Sequence, residues 1–461
     1  MKSITIAATL LVILTNVLSA QLWERSYDVN QPTPRQLIQG SDGGFVIAGS
    51  MYDSLLMEHR GFLLKTDVEG SEEWRATWNG AVHSYGYAVI ELADGGYLVS
   101  GTEVVPGNSS AASLRKFDGS GILIWEREYV TDPKFNNFRS ISKADEDHLI
   151  LLGSAGPVDN AWLSKIDTAG NMIWEKKFSE TEANIDGHIV KTTLDEGFIL
   201  LIERSHSYIN KPPAVVIIKT NAAGTEEWRA IIESEGEYIE ALNIFQEPDG
   251  AYIATAMHSN SSTSRDYWMA KLNENGDLLW RKKINEGNDF GVQAARIEDG
   301  NYILLGHNAK IIKTDTSGTV LWTKQINHNL GPVYARSMTQ SSDGCFVITG
   351  QSNISDNLFL LKDDSVGAVV YSYERINDLA IDFSIYPNPI KDRAILDITG
   401  ITQLGLVNLR LYDLRGKEIF TKKITFNKTS IQFPNHLPGG AYVGVLEAEG
   451  KLLTAQVIYL E

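Results

Sequence analysis

The chain has 461 residues, 43 % of them apolar and 21 % charged, which is longer than one ordinary domain and too apolar for a disordered polymer. Its formal net charge is −17; removing Lys2 with a cleaved leader makes it −18, and nine basic against eight acidic groups in residues 380–461 leave about −19 on residues 21–379. So much negative charge argues against nucleic acid as a partner and suits an extracellular surface able to attract cations or basic surfaces.

The chain opens with Met1-Lys2, a mostly apolar run over residues 4–18, and the small pair Ser19-Ala20 before Gln21. This pattern predicts a secretory signal peptide over residues 1–20. The competing reading is an uncleaved anchor, but the run is short for a bilayer, and no later segment reaches about 18 apolar residues. The mature chain is therefore expected to have no transmembrane segment. Cys345 is the single cysteine, so an internal disulfide is excluded; its position matches Gly44, Gly96 and Ala251 of other repeats and reads as a small turn residue.

From residue 21 onward a repeat governs the sequence. Trp74, Trp125, Trp174, Trp228, Trp280 and Trp322 recur at steps of 51, 49, 54, 52 and 42 residues. At its clearest the phrase around them is Lys-x-Asp-x-x-Gly-x-x-x-Trp, as in Lys65, Asp67, Gly70 and Trp74. A period near 50 residues marks one supersecondary unit that buries its face by stacking on its neighbours. Each unit also has a first turn, as in Asp42-Gly43-Gly44-Phe45 and Asp94-Gly95-Gly96-Tyr97; Glu146-Asp147-His148 replaces the glycines in the third. Asp-Gly between apolar runs is a hairpin signal, because Gly takes the positive φ that tight turns need. Asp-x-x-Gly fits a second, longer hairpin loop. The runs between turns are short and β-rich, without helical period. Four strands per unit and seven units predict an all-β, seven-bladed β-propeller over residues 21–373, with each Trp filling the same gap between blades.

The ring must also close. Leu22-Trp23-Glu24-Arg25-Ser26-Tyr27 matches the ends of later units, such as Ile124-Trp125-Glu126-Arg127-Glu128-Tyr129. The seventh unit lacks a terminal Trp and offers Ala368-Val369-Val370-Tyr371. Either segment is a candidate for the last strand, and an open or eight-bladed ring stays open as an alternative.

Residues 374–380 read as a linker to a small C-terminal β-sandwich over residues 381–461. Its candidate strands are 394–398, 406–412, 418–425, 441–447 and 453–459. Three pieces in this region carry a likeness: Tyr386-Pro387-Asn388-Pro389, Leu411-Tyr412-Asp413-Leu414-Arg415-Gly416-Lys417, and Leu437-Pro438-Gly439-Gly440-Ala441-Tyr442-Val443. In order and spacing they resemble the C-terminal sorting domain of the type IX secretion system of Bacteroidota. The resemblance implies passage through the periplasm and across the outer membrane, with residues 381–461 as the address read by the translocon. It also implies release or attachment at the cell surface. Tails of that family often end in basic residues, whereas this one ends Val457-Ile458-Tyr459-Leu460-Glu461. The repeats resemble uncharacterised propeller-like repeats of such secreted cargo, which implies a fold and no activity.

No motif for catalysis stands out. His-Glu-x-x-His, Gly-x-Ser-x-Gly and phosphate-loop patterns are missing, and neither cofactor, metal nor catalytic residue is assigned. Asn273-Glu274-Asn275-Gly276-Asp277 has the look of a calcium loop, yet it occupies the repeat's hairpin turn. One constellation points to binding. Seven residues before each first-turn acid lie Arg35, Tyr87, Arg139, His188, Leu242, Val292 and Arg336; two residues earlier lie Thr33, Tyr85, Asn137, Asp186, Glu240, Phe290 and Tyr334. Period-two spacing on innermost strands puts both sets around the central channel. Arg35, Tyr87, Arg139, His188 and Arg336 are the candidate ligand-binding residues; ordinary solvated channel lining is the plainer reading. The expectation is a secreted or surface-displayed, non-catalytic binding or adhesion module for an extracellular glycan or protein. The alternative is a glycan-active enzyme with acids at the channel mouth.

Overall fold

In a computed structural model of the chain, residues 23–363, apart from short loop segments, and the strands between residues 382 and 460 are described. The expected signal peptide and linker lie outside the described residues. The chain divides into two compact units, Met1–Asp363 and Asp364–Glu461. No described element is a helix.

The first unit is seven four-stranded antiparallel sheets, six of them up-and-down runs of four consecutive strands. Blade 1 consists of Thr33–Gln39, Phe45–Asp53, Glu58–Thr66 and Glu72–Trp78. Blades 2 to 6 repeat this plan, with innermost strands His83–Glu91, Asn136–Lys143, Ile185–Thr192, Tyr238–Gln246 and Gly291–Arg296. Blade 7 runs Val333–Gln340, Phe346–Ser352 and Leu358–Asp363, and its outermost strand is Trp23–Tyr27 from the other end of the unit. Trp23 faces Lys362 and Tyr27 faces Leu358 across that pairing. Of the two candidates for closure, the N-terminal strand takes the place.

Burial follows position in the blade. Second and third strands are sandwiched between neighbouring blades, so Phe45, Val46, Ile47 and Ala48 are all fully buried, as are Phe62, Leu63 and Leu64. Fully covered strands read as unbroken apolar runs, which is why no alternation showed in these segments. Outermost strands are mostly exposed, as in Leu123–Tyr129.

The repeat phrase is a set of joints. The Asp of Asp-x-x-Gly folds its own turn: Asp67 Oδ1 accepts the backbone N–H groups of Glu69 and Ser71 at 3.0 and 2.7 Å. Asn273 does the same with Asn275 and Asp277, so this side chain is committed to the turn. The Lys reaches back to the first turn of its own blade; Lys65 Nζ lies 2.6 Å from Asp42, and Lys219 Nζ lies 2.8 Å from Asp195. In blade 3 the acid in this role is Asp145, 2.8 Å from Lys165, one position before Glu146, which the sequence reading had placed there. The Trp crosses to the next blade. Gly70, Gly121, Gly170, Gly224, Gly276 and Gly318 all have φ between +74° and +85°. A Cβ on any of them would come within 2.5–3.0 Å of the preceding blade's ring, from Trp23, Trp74, Trp125, Trp174, Trp228 and Trp280 in turn. Glycine is thus required twice over, for backbone conformation and for the ring laid on it. The same rings meet the aromatic residue after the next blade's first turn: Trp23–Phe45, Trp74–Tyr97, Trp174–Phe198 and Trp228–Tyr252 have centroids 5.5–6.2 Å apart. Trp74, Trp125, Trp174, Trp228 and Trp280 therefore each join two blades, as their spacing predicted.

The second unit contains a three-stranded and a four-stranded antiparallel sheet. All five expected strands are present within two residues of their expected ends, and Asp382–Tyr386 and Lys428–Gln432 are added. Leu396 and Ile431 are buried on one sheet, Leu409, Leu411, Ile424 and Tyr442 on the other. Of the sorting-motif residues, Tyr386 ends the first strand and Gly440 opens Gly440–Ala448. Pro387, Asn388, Pro389, Gly416 and Gly439 lie outside the described residues.

Candidate binding site

All seven innermost strands break register at the same place. The pairing skips Arg35 between Pro34 and Gln36, Tyr87 between Gly86 and Ala88, and Arg139 between Phe138 and Ser140. It skips His188, Leu242, Val292 and Arg336 in the remaining four blades. Each residue of the first candidate set is therefore the extra residue of a β-bulge. A bulge leaves one residue unpaired and re-aims its side chain. Arg35, Tyr87, Arg139, His188, Leu242 and Arg336 together line a cavity of about 330 Å³, joined by Lys191 and Glu240. That volume falls in the range of small-ligand sites, about 300–1,000 Å³. The five candidate ligand-binding residues are thus brought together. Simple period-two alternation does not carry them there; the bulge does.

The residue after the bulge was missed at the sequence level. Gln36 Oε1 accepts the N–H of Val89 at 2.8 Å, and Gln293 Oε1 that of Met338 at 2.7 Å. Ser140 Oγ accepts the N–H of Val190 at 3.2 Å, and Ser337 Oγ that of Leu37 at 3.1 Å. In each case the N–H belongs to the next blade, two positions beyond its own bulge. The signal in the sequence was a polar side chain one residue after five of the seven bulge positions, Gln36, Ser140, Asn243, Gln293 and Ser337; Ala88 and Ile189 follow the other two. These bonds occupy a backbone donor that the bulge frees, and hold neighbouring bulges in line.

The charges in the cavity are unequal. Arg139 is neutralised, with Nη2 3.0 Å from Asp186 Oδ2 and Nη1 3.2 Å from His188 Nε2. Asp186 also accepts a hydrogen bond from Ser154 Oγ. Arg35 lies 5.7 Å over the ring of Tyr87, and neither Arg35 nor Arg336 makes an ion pair among the described residues. Burial, and then the positive charge of Arg35, lower the pKa of Arg336. Burial and Arg139 likewise depress His188, which stays neutral at physiological pH. Glu203 was not foreseen. It faces Asp186 across the blade 4 hairpin, and its Oε2 lies 3.3 Å from His188 Nε2. Burial, then Asp186 and Glu240, push its pKa up to about 7. The corresponding paired residues in other blades are Ser50, Thr102, Ser154, Met257 and Gln351, so an acid there was the available clue. Among the described residues no group of three His, Cys, Asp or Glu is disposed to hold a metal ion.

No curated protein sequence matches this chain. In fold it is similar to Drosophila Semaphorin 2a, with a TM-score of 0.51, 9 % identity, and 95 % of this chain and 97 % of that one covered. It is also similar to Chaetomium thermophilum Raptor, with a TM-score of 0.50, 8 % identity, and 76 % of this chain but 30 % of that one covered. At such identities the likeness shows the fold alone. Residues 384–460 match the family described as the secretion system C-terminal sorting domain. Together with the seven blades, that match makes the chain a β-propeller protein carrying a type IX secretion sorting tail, a tail that implies export and interaction with that secretion machinery.

Proposed function

We propose that the propeller is a non-catalytic binding or adhesion module which captures an anionic group of an extracellular ligand in its channel. The chain reaches its place by cleavage of residues 1–20, transit of the periplasm and recognition of residues 381–461 by the translocon. The product is secreted or held on the outer-membrane surface. One observation carries the binding reading: the bulges converge Arg35, Arg139 and Arg336 on one cavity, and among the described residues only Arg139 of the three is spent on an ion pair. A guanidinium grips carboxylates through forked hydrogen bonds. On a propeller of about −19 this basic cluster is a local exception, which selects anions over cations. The test is an array of glycans and proteins probed with the parent and with Arg35→Ala/Arg139→Ala/Arg336→Ala. The parent is expected to retain acidic ligands that the variant loses while keeping its circular dichroism spectrum. Equal binding by both would reduce the cavity to channel lining.

A second reading has its own support. A carboxyl held near pH 7 beside other acids is the protonation pattern of a general acid, and Glu203 shows it. Release of reducing ends from an oligosaccharide, abolished in Glu203→Gln, would make the protein a glycan-active enzyme.

A further inference from the structure

A row of aromatic rings leads away from the cavity on the entry side of blades 1 and 2. Tyr52 is next to last in the second strand of blade 1, and its partner across the hairpin is His59. Their ring centroids are 5.2 Å apart. His59 lies 5.5 Å from His83 and 5.2 Å from Tyr85, both on the innermost strand of blade 2. Tyr85 is parallel to Tyr87 within 6°, at 6.4 Å, and Tyr87 carries the Arg35 guanidinium. The sequence thus runs without a break from Tyr52 through His59, Tyr85 and Tyr87 to Arg35.

Two features separate this row from ordinary packing. All five rings are half-buried, whereas the core aromatics of the same blades, Phe45, Phe62 and Tyr97, are buried. Moreover, the hydroxyls of Tyr52, Tyr85 and Tyr87 make no hydrogen bond among the described residues, and none of them is a buried unsatisfied atom. The backbone N–H of His59 donates to His83 Nδ1 at 3.1 Å, which puts the ring proton of a neutral His83 on Nε2. Burial and His83 lower the pKa of His59, so it presents a neutral ring. In blade 2 the positions matching Tyr52 and His59 are Val104 and Ser110, so the repeat does not demand rings there.

We propose that Tyr52, His59, His83 and Tyr85 form a glycan-binding track feeding the channel, and that the ligand is an acidic oligosaccharide whose sugar rings stack on the track while a carboxylate is held by Arg35 and Arg336. Ring faces take the apolar faces of sugars, and the tyrosine hydroxyls and the His83 N–H take their hydroxyl groups. Successive ring spacings of 5.2–6.4 Å are on the scale of one hexose repeat. The carboxylate half rests on the channel reading above; the track does not.

The experiment is calorimetric titration of the full chain with galacturonic acid and with hexagalacturonate. The parent is expected to bind the hexamer more tightly than the monomer. His59→Ala/Tyr85→Ala is expected to weaken the hexamer by at least about tenfold, the scale of one lost stacking contact, and to leave the monomer unchanged. Arg35→Ala/Arg336→Ala is expected to weaken both. Hexamer binding unchanged in the aromatic variant but lost in the arginine variant would overturn the track and leave the channel reading standing. Loss in the aromatic variant alone would keep the track and overturn the carboxylate clamp. A parent that binds neither uronate overturns the proposal.

Discussion

Glu203 is a residue whose neighbours set its chemistry. Its folded pKa of about 7 lies above the ordinary value of 4.5, so its contribution to stability is fully present below about pH 4.5 and is lost as pH rises through about 7. His188 works in the opposite sense. Its folded pKa lies below 6.5, so its contribution is present above that value and is lost as pH falls. Replacing Glu203 by Gln removes the alkaline loss alone. In chemical denaturation the unfolding free energies of Glu203→Gln and the parent are expected to differ little at pH 4.5 and to favour the variant at pH 8, by at most about 3 kcal/mol. A difference that does not change with pH would contradict the placement of the carboxyl. Gly121 offers a second residue-scale test. Gly121→Ala must force an alanine into φ +82° and drive its Cβ against Trp74 at 2.5 Å. The backbone part alone costs about 1–2 kcal/mol. Because the rest arises from one contact, the cost of Gly121→Ala is expected to shrink by about 0.5–3 kcal/mol when Trp74 is already Ala. Additive losses in chemical denaturation would separate the two residues.

At the scale of the element, the innermost strand does two jobs through adjacent residues. Six of the bulge residues line the channel cavity, and in four blades the residue after the bulge, Gln36, Ser140, Gln293 or Ser337, bonds the next blade. In those blades the bulge residue is free to vary while its neighbour keeps the junction. The closing strand is the other decisive element. Trp23–Tyr27 completes blade 7, covers the edge of Leu358–Asp363 and lays Trp23 on Gly70 of blade 1. Tyr27 also donates from its hydroxyl to the carbonyl of Gly70 at 2.6 Å. Deleting residues 21–30 opens both junctions at once. The expected loss is at least about 3 kcal/mol, the scale of truncating a large packed side chain, with a lower melting temperature. An unchanged melting temperature would show that another segment fills the edge.

For the whole molecule, the two units divide the labour of structure and address. The propeller has its own closed core, and its last described strand ends at Asp363, before the sorting tail begins. Deleting residues 380–461 is therefore expected to leave the propeller folded and to strand it in the periplasm. Fractionation with protease protection checks this; normal delivery of the shortened chain to the surface or medium would refute the routing.

Blade number, strand count and the joints were legible because a cyclic fold must repeat its solution. The turn Asp, its Gly and the crossing Trp meet the same neighbours in each blade, so the same residues recur at Gly70 and Trp74, Gly121 and Trp125, Gly170 and Trp174. Arg35, Tyr87, Arg139, His188 and Arg336 were legible as a set for the same reason, since any position in register with the turn lands at one radius of the ring. What tertiary structure alone decided is where the period fails. A bulge leaves no residue signature of its own, so nothing in the alternation told which side chain would be freed toward the axis. Closure depended on an edge some 340 residues away from Trp23, a distance local sequence does not encode. Glu203 meets Asp186 and His188 through hairpin register, and His59, packed on Tyr52, meets Tyr85 across a blade junction. Both are single departures from the repeat, and their meaning is set by the neighbours that folding brings to them.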